Sequence, residues 1–154
     1  AIAGLRVPLG TDVGDPRARL EAIKAAMQAV RKDRASLPAD AVTPYVLLRA
    51  APVYASQLPG VGALVPPVFN LAVSNSHGAQ KTRYYNGARL EAIYPMNPLM
   101  QYSALSIDCV DYDDDYYIGF TGARDTLPHL QRMAVYFVGA VSDLEERVSA
   151  GEFQ

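Results

Sequence analysis

Two histidines and one cysteine are the side chains of this sequence best suited to acid–base or nucleophilic chemistry. His77 stands in the polar stretch from Ser76 to Gly87 (SHGAQKTRYYNG), just past an apolar run that ends at Asn75. A general base needs a second group to orient it, and no residue near His77 in sequence identifies one. His129 falls where the first turn of a closing helix is expected, at the surface. Cys109 alternates with Leu105 and Ile107, so it reads as core packing on the inward face of a strand. A nucleophilic thiolate would need an accessible electropositive pocket, for which the sequence has no sign. The aspartates 108, 111, 113, 114 and 115 suggest calcium at first sight, but an EF-hand loop requires alternating ligands, a central glycine and a closing glutamate. That spacing is absent, and a charged hairpin tip accounts for them. A lone cysteine permits neither an internal disulfide nor a cysteine-based zinc site. Gly60-Val61-Gly62 is too short to be a phosphate cradle.

Half of the 154 residues are apolar, 19% are charged and the formal net charge is -2. Such a balance describes a folded domain with a core and excludes nucleic-acid binding by phosphate neutralisation. The Arg31, Lys32 and Arg34 cluster sits at the end of an expected helix, where cations meet the helix dipole favourably. No apolar run approaches the roughly 18 residues of a membrane span. No secretory pattern opens the chain, and Ala1 in place of Met leads us to expect a start inside a longer or trimmed polypeptide.

These residues need elements to position them. Residues 2–8 alternate loosely as a short strand, and Gly10 to Gly14 turn the chain. Asp15 then caps a helix with Pro16 at its first position, and Leu20, Ile23, Met27 and Val30 form its apolar stripe. In residues 35–70 only Asp40 and Arg49 are charged, and six prolines break the pattern. Short kinked helices at 41–57 and 60–65 are expected there, and so little charge implies a covered surface. Strands are expected at 68–75, 89–94, 105–112 and 116–121, with turns at Asn86-Gly87 and at 113–115. A long helix capped by Asp125 or Thr126 closes the chain, with Leu130, Met133, Phe137, Val141, Leu144 and Val148 on its apolar face and Gly151 past its end. The pattern is α+β, with a mixed, mainly antiparallel sheet covered by helices.

Several segments resemble the bacterial wax ester synthase/diacylglycerol acyltransferase family. Phe69 to Asn75 (FNLAVSN) is similar to a family strand that ends in Ser-Asn and continues Val-Pro-Gly-Pro. Gly87-Ala88-Arg89-Leu90, Ile93-Tyr94-Pro95 and Pro98 match the segment that follows, and Arg124-Asp125 and the closing helix match the end. Upstream, Val7-Pro8-Leu9 and the Asp15-Pro16 helix also resemble the family. The chain departs from it at Ser76-His77-Gly78-Ala79, in place of Val-Pro-Gly-Pro, and at Met100 to Ser103, in place of a glycine-rich turn.

The resemblance implies one subdomain of a fold like that of chloramphenicol acetyltransferase, in which two similar subdomains enclose a tunnel for acyl-CoA and an alcohol. A histidine of a His-His-x-x-x-Asp-Gly motif in the N-terminal half is then the base. This sequence holds no His-His pair, so the resemblance assigns it no catalytic residue, no metal and no cofactor, acyl-CoA being a substrate. It implies Ser74, Asn75, His77, Tyr94 and Pro95 as substrate-binding residues, with Ser74 and Asn75 near the oxyanion; a plainer alternative makes Asn75 a loop cap. The implied function is the C-terminal half of an enzyme moving a fatty acyl group to a long-chain alcohol or diacylglycerol. Its expected partners are the N-terminal half, acyl-CoA and the acceptor lipid, not nucleic acid. Its expected place is the cytoplasm, with peripheral contact to the inner membrane or lipid droplets. The alternatives are a non-catalytic partner of an acyltransferase or lipid surface, and a small hydrolase using His77.

Overall fold

The computed structural model describes residues 6–62, 64, 69 and 71–152. In chain order the elements are α1 (Pro16–Ala35), α2 (Ala39–Ser56), β1 (Leu71–His77), β2 (Tyr84–Tyr85), β3 (Ala88–Arg89), β4 (Leu105–Tyr112), β5 (Asp115–Gly122) and α3 (Arg132–Ser149). Two compact units emerge, one of Ala1–Ala55 with Gly139–Gln154 and one of Ser56–Val138.

In the first unit, Asp15 caps α1 as expected: its carboxylate accepts the Ala18 N–H at 2.9 Å, and Pro16 occupies the first turn, where no N–H is needed. Leu20, Ile23, Met27 and Val30 form a half-buried stripe along the helix. The strand expected at 2–8 is not seen. Residues 6–8 have no regular structure, and 1–5 lie outside the described residues. α2 covers the helix expected at 41–57 and runs through Pro44 and Pro52, each of which withholds an N–H from the helical ladder. Leu47, Leu48 and Tyr54 are exposed along it. Of the helix expected at 60–65, residues 60–62 and 64 are in turns and 63 and 65 lie outside the described residues. The α3 C-terminus ends on Gly151 at φ 80°, with Gly151 N–H bonding Val148 O at 3.0 Å and Glu152 N–H bonding Arg147 O at 3.1 Å. That pair of bonds is a Schellman motif, which needs the left-handed glycine.

The second unit carries a three-stranded mixed sheet in the order β1-β4-β5, parallel between β1 and β4 and antiparallel between β4 and β5. β1 starts at Leu71 (residues 68 and 70 lie outside the described residues) and runs two residues past Asn75, so His77 is a strand residue, not a loop residue. The strand expected at 89–94 shrinks to the ribbon β2–β3, closed by Asn86 at φ 48° and Gly87 at φ 80°. Positive φ at both positions is the two-residue hairpin geometry that Asn-Gly favours. Beyond Arg89 the carbonyls are taken by side chains instead: the Tyr112 hydroxyl donates to Leu90 O at 2.9 Å and the Tyr117 hydroxyl to Glu91 O at 3.2 Å. α3 starts at Arg132, later than Asp125 or Thr126, after successive turns over 123–131. Pro128 disfavours a helical Leu127, and His129 therefore lies in a turn before the helix.

The faces of β4 are the reverse of those expected. Ser106, Asp108, Val110 and Tyr112 are buried, whereas Leu105, Ile107 and Cys109 are half-buried. The reason is a segment crossing the first face. Asp108 accepts the Asn97 N–H at 3.2 Å, a short bond from the Asn97 side-chain amide, and the Ser106 hydroxyl at 3.1 Å. A fully bonded carboxylate can be buried, and the polar alternation then points inward. Pro95 lies so close over Gly119 that a Cβ there would stand 1.8 Å from its carbonyl oxygen.

Candidate functional site

The sheet register lays out the less covered face in four rows. The first two are Leu71, Leu105 and Gly122, then Val73, Ile107 and Phe120; the last two are Asn75, Cys109 and Ile118, then His77, Asp111 and Tyr116. The face therefore passes from apolar to polar along the strands. At the apolar end Phe137, in the first turns of α3, packs edge-on against Phe120 with centroids 6.3 Å apart, while Val73 is exposed.

At the polar end Asp111 is the hub. Its Oδ1 accepts the Gly78 N–H at 2.6 Å, and its Oδ2 accepts Gln80 Nε2 at 3.0 Å and faces His77 Nδ1 at 3.4 Å. Gly78 is required by this closeness, because a Cβ there would lie 2.0 Å from the Asp111 carbonyl oxygen. The Gly78 N–H bond above all, helped by His77 against the opposing effect of burial, holds the Asp111 carboxyl below its ordinary pKa of 3.8. The His77 ring is 86% exposed, open to a ligand. The loop beyond is tied down by Asp113 N–H to Ala79 O at 2.9 Å and by Thr82 Oγ1 to Asp113 Oδ2 at 2.8 Å. Across the sheet the Tyr116 hydroxyl donates to Asn75 Oδ1 at 3.0 Å. Partial burial, then the neighbouring Cys109, raises the Tyr116 pKa above 10.0.

Of the five residues singled out from the sequence, Asn75 and His77 come together on this face. Ser74 lies on the opposite face, in register with Asp108 and Gly119, and Pro95 packs over that same Gly119. Tyr94 is 87% exposed, in the segment next to Pro95 that crosses the opposite face. Asn75 does not cap a loop, since it is paired inside β1 and its side-chain oxygen is used by Tyr116. Asp111, Tyr116 and Gln80 are the site residues that sequence reasoning missed. Alternation from Leu105 places Asp111 on this face, and a two-residue turn at 113–114 places Tyr116 opposite it; their meeting with Asn75 and His77 needs the parallel pairing, for which the sequence has no local signal.

The cluster can hold oxygen-bearing groups by hydrogen bonds and can orient an imidazole through a carboxylate. Among the described residues no three His, Cys, Asp or Glu side chains are grouped to hold a metal ion. Also among them, no helix is long and apolar enough to cross a membrane.

Comparison with known proteins places the chain in a family. The family described as WS/DGAT C-terminal domain matches residues 1–145. A putative diacylglycerol O-acyltransferase of Mycobacterium tuberculosis is 41% identical over 147 residues, covering 94% of this chain and 30% of that protein. A second from the same organism, a probable diacylglycerol O-acyltransferase, is 35% identical over 140 residues, covering 91% of this chain and 31% of that protein. Among solved structures, the wax ester synthase/diacylglycerol acyltransferase of Marinobacter aquaeolei superposes with a TM-score of 0.79 at 32% identity, over 94% of this chain and 34% of that one. The chain thus spans about a third of the length of these relatives. With a matching family profile over nearly its whole length and the same α+β arrangement, the chain belongs to the WS/DGAT C-terminal domain family.

Proposed function

We propose that this chain is the C-terminal part of an O-acyltransferase that moves a fatty acyl group from acyl-CoA to a long-chain alcohol or diacylglycerol, and that its open sheet face is a wall of the substrate tunnel. The observation that carries the reading is the passage of that face from Leu71, Leu105, Val73, Ile107 and Phe120 to Asn75, His77, Asp111 and Tyr116. A lipid substrate asks for that order. Each methylene removed from water contributes about 0.8 kcal/mol, so its chain follows the apolar rows, while its oxygens need hydrogen-bonding partners at the end. The base that deprotonates the acceptor comes from a His-His-x-x-x-Asp-Gly segment outside this sequence, in an N-terminal half that is the chain's main partner. Ser74 and Pro95, on the covered face, support the sheet instead of touching substrate, and Tyr94 is free to meet that half. The exposed Leu47, Leu48, Tyr54, Leu58 and Leu64 fit contact with the N-terminal half, or with an inner-membrane or lipid-droplet surface from the cytoplasm.

The test is acyl transfer from palmitoyl-CoA to hexadecanol or dioleoylglycerol. The chain alone and the chain joined to its His-His-x-x-x-Asp-Gly half are compared. Activity is expected only in the joined protein. Turnover by the chain alone, or an inactive joined protein, overturns the proposal.

A further inference from the structure

We infer that the His77–Asp111 pair, with Asn75, selects acceptors that carry a second hydroxyl beside the one to be acylated, such as a monoacylglycerol or a vicinal diol. The inference deepens the acyltransferase reading and rests on it. Asp111 is fixed before any ligand arrives: Gly78 N–H and Gln80 Nε2 occupy its two oxygens, so the carboxylate cannot turn away from the ring 3.4 Å off. A carboxylate only accepts, so the neutral imidazole places its proton on Nδ1, toward Asp111, and leaves Nε2 with a lone pair. With the ring 86% exposed, that lone pair is free to accept an O–H from a bound molecule.

Asn75 supplies the complementary group. Its Oδ1 is taken by the Tyr116 hydroxyl, which directs the Nδ2 donors away from that bond, and those donors have no partner among the described residues. Asn75 and His77 are two residues apart on one face of β1, about 7 Å along the strand. The face thus presents one acceptor and one donor side by side, next to the apolar rows that receive the hydrocarbon. The reacting hydroxyl must give its proton to the catalytic base, so it is not the group that His77 holds. A spare hydroxyl is. It donates to His77 Nε2, while its own oxygen, or a neighbouring ester carbonyl, accepts from Asn75. A simple fatty alcohol leaves both groups unanswered, and a site built to bond a hydroxyl discriminates against the analogue lacking it.

The experiment uses the complete acyltransferase with palmitoyl-CoA and two acceptors that differ only in the second hydroxyl, hexadecanol and the vicinal hexadecanediol. In the wild type the diol is expected to have the higher kcat/KM by about tenfold, the effect of one hydrogen bond. His77→Leu should bring the ratio close to one, and His77→Gln, which keeps an acceptor oxygen, should restore part of it. Asp111 acts through His77 and is a positioning residue, so Asp111→Asn should raise the diol KM with little change in kcat. Melting temperatures identify variants whose fold is intact. A wild type without diol preference overturns the inference, and so does a His77→Leu enzyme that keeps the preference. A wild type inactive on both acceptors overturns the inference, and one inactive on dioleoylglycerol as well overturns the acyltransferase reading itself.

Discussion

Replacing Gly78 with alanine tests whether the ends of β1 and β4 are locked together as closely as the geometry states. The glycine's φ is not in the left-handed region, so backbone strain plays no part and the cost is one of space. An added Cβ would stand 2.0 Å from the Asp111 carbonyl oxygen and 3.2 Å from Val110 Cγ2, against a practical lower limit of 3.0 Å. The strand ends must therefore part by about 1 Å, and the obstacle is backbone rather than a side chain that can swing aside. Overpacking typically costs 1–3 kcal/mol, and a rigid obstacle puts this case near the top, about 3 kcal/mol. For a chain of this size each kcal/mol moves the melting temperature by roughly 2–4 °C, so a fall of about 6–12 °C is expected. Parting the strands also breaks the Gly78 N–H bond to Asp111, and the Asp111 carboxyl should then titrate closer to 3.8. Thermal melts and carboxyl-detected NMR titrations read the two effects independently. Gly139→Ala is the control, since nothing lies within 4 Å of its added Cβ and alanine is the better helix former. If Gly78→Ala melts within 2 °C of the wild type (roughly 1 kcal/mol) with an unmoved Asp111 titration, the close approach of the two strands is wrong.

Two further outcomes follow from the same sheet. Asp108→Ala removes the buried acceptor shared by the Asn97 N–H, the Asn97 side-chain amide and the Ser106 hydroxyl; losing these bonds, with the Ser106 hydroxyl left buried, should cost about 2 kcal/mol and speed hydrogen exchange at Asn97, and unchanged exchange there would mean the segment is held by other contacts. Asp111 is more acidic when folded, so the stability it contributes is present above 3.8 and is lost as the pH falls through its folded value. Asp111→Asn should accordingly flatten the acid limb of the melting-temperature profile, and matching acid limbs for the variant and the wild type would remove Asp111 from the account.

Elements set by local interactions were legible in the sequence. The Asp15-Pro16 start and the stripe of Leu20, Ile23, Met27 and Val30 describe α1, because capping and side-chain spacing act within a few residues. The same holds for the Asn86-Gly87 turn and the glycine end of α3. Errors arose where a distant partner overrides a local preference. The alternation in β4 is legible, but hydrophobicity points to Leu105, Ile107 and Cys109 as its inward face, whereas the bonds from Asn97 make Asp108 the buried residue. Residues 90–94 have the composition of a strand, yet the side-chain hydroxyls of Tyr112 in β4 and Tyr117 in β5 satisfy the Leu90 and Glu91 carbonyls in place of a neighbouring strand's backbone.

The candidate site depends on the least legible contact of all. Antiparallel β4 and β5 meet across a two-residue turn, so the Asp111–Tyr116 pairing can be read once the turn is placed. β1 and β4 are parallel and joined by a long crossover, and no turn geometry fixes their register. Strand side chains alternate with a period of two, so their register decides the chemistry. With Asn75 level with Cys109, the polar groups at positions 75, 77, 111 and 116 converge on one face. A slip of one residue would instead bring Ser74 and Ser76 to that level and turn Asn75 and His77 to the covered side. The close passage of Gly78 against Asp111 excludes that slip, so the glycine that follows His77 keeps the histidine on the less covered face, beside Asp111.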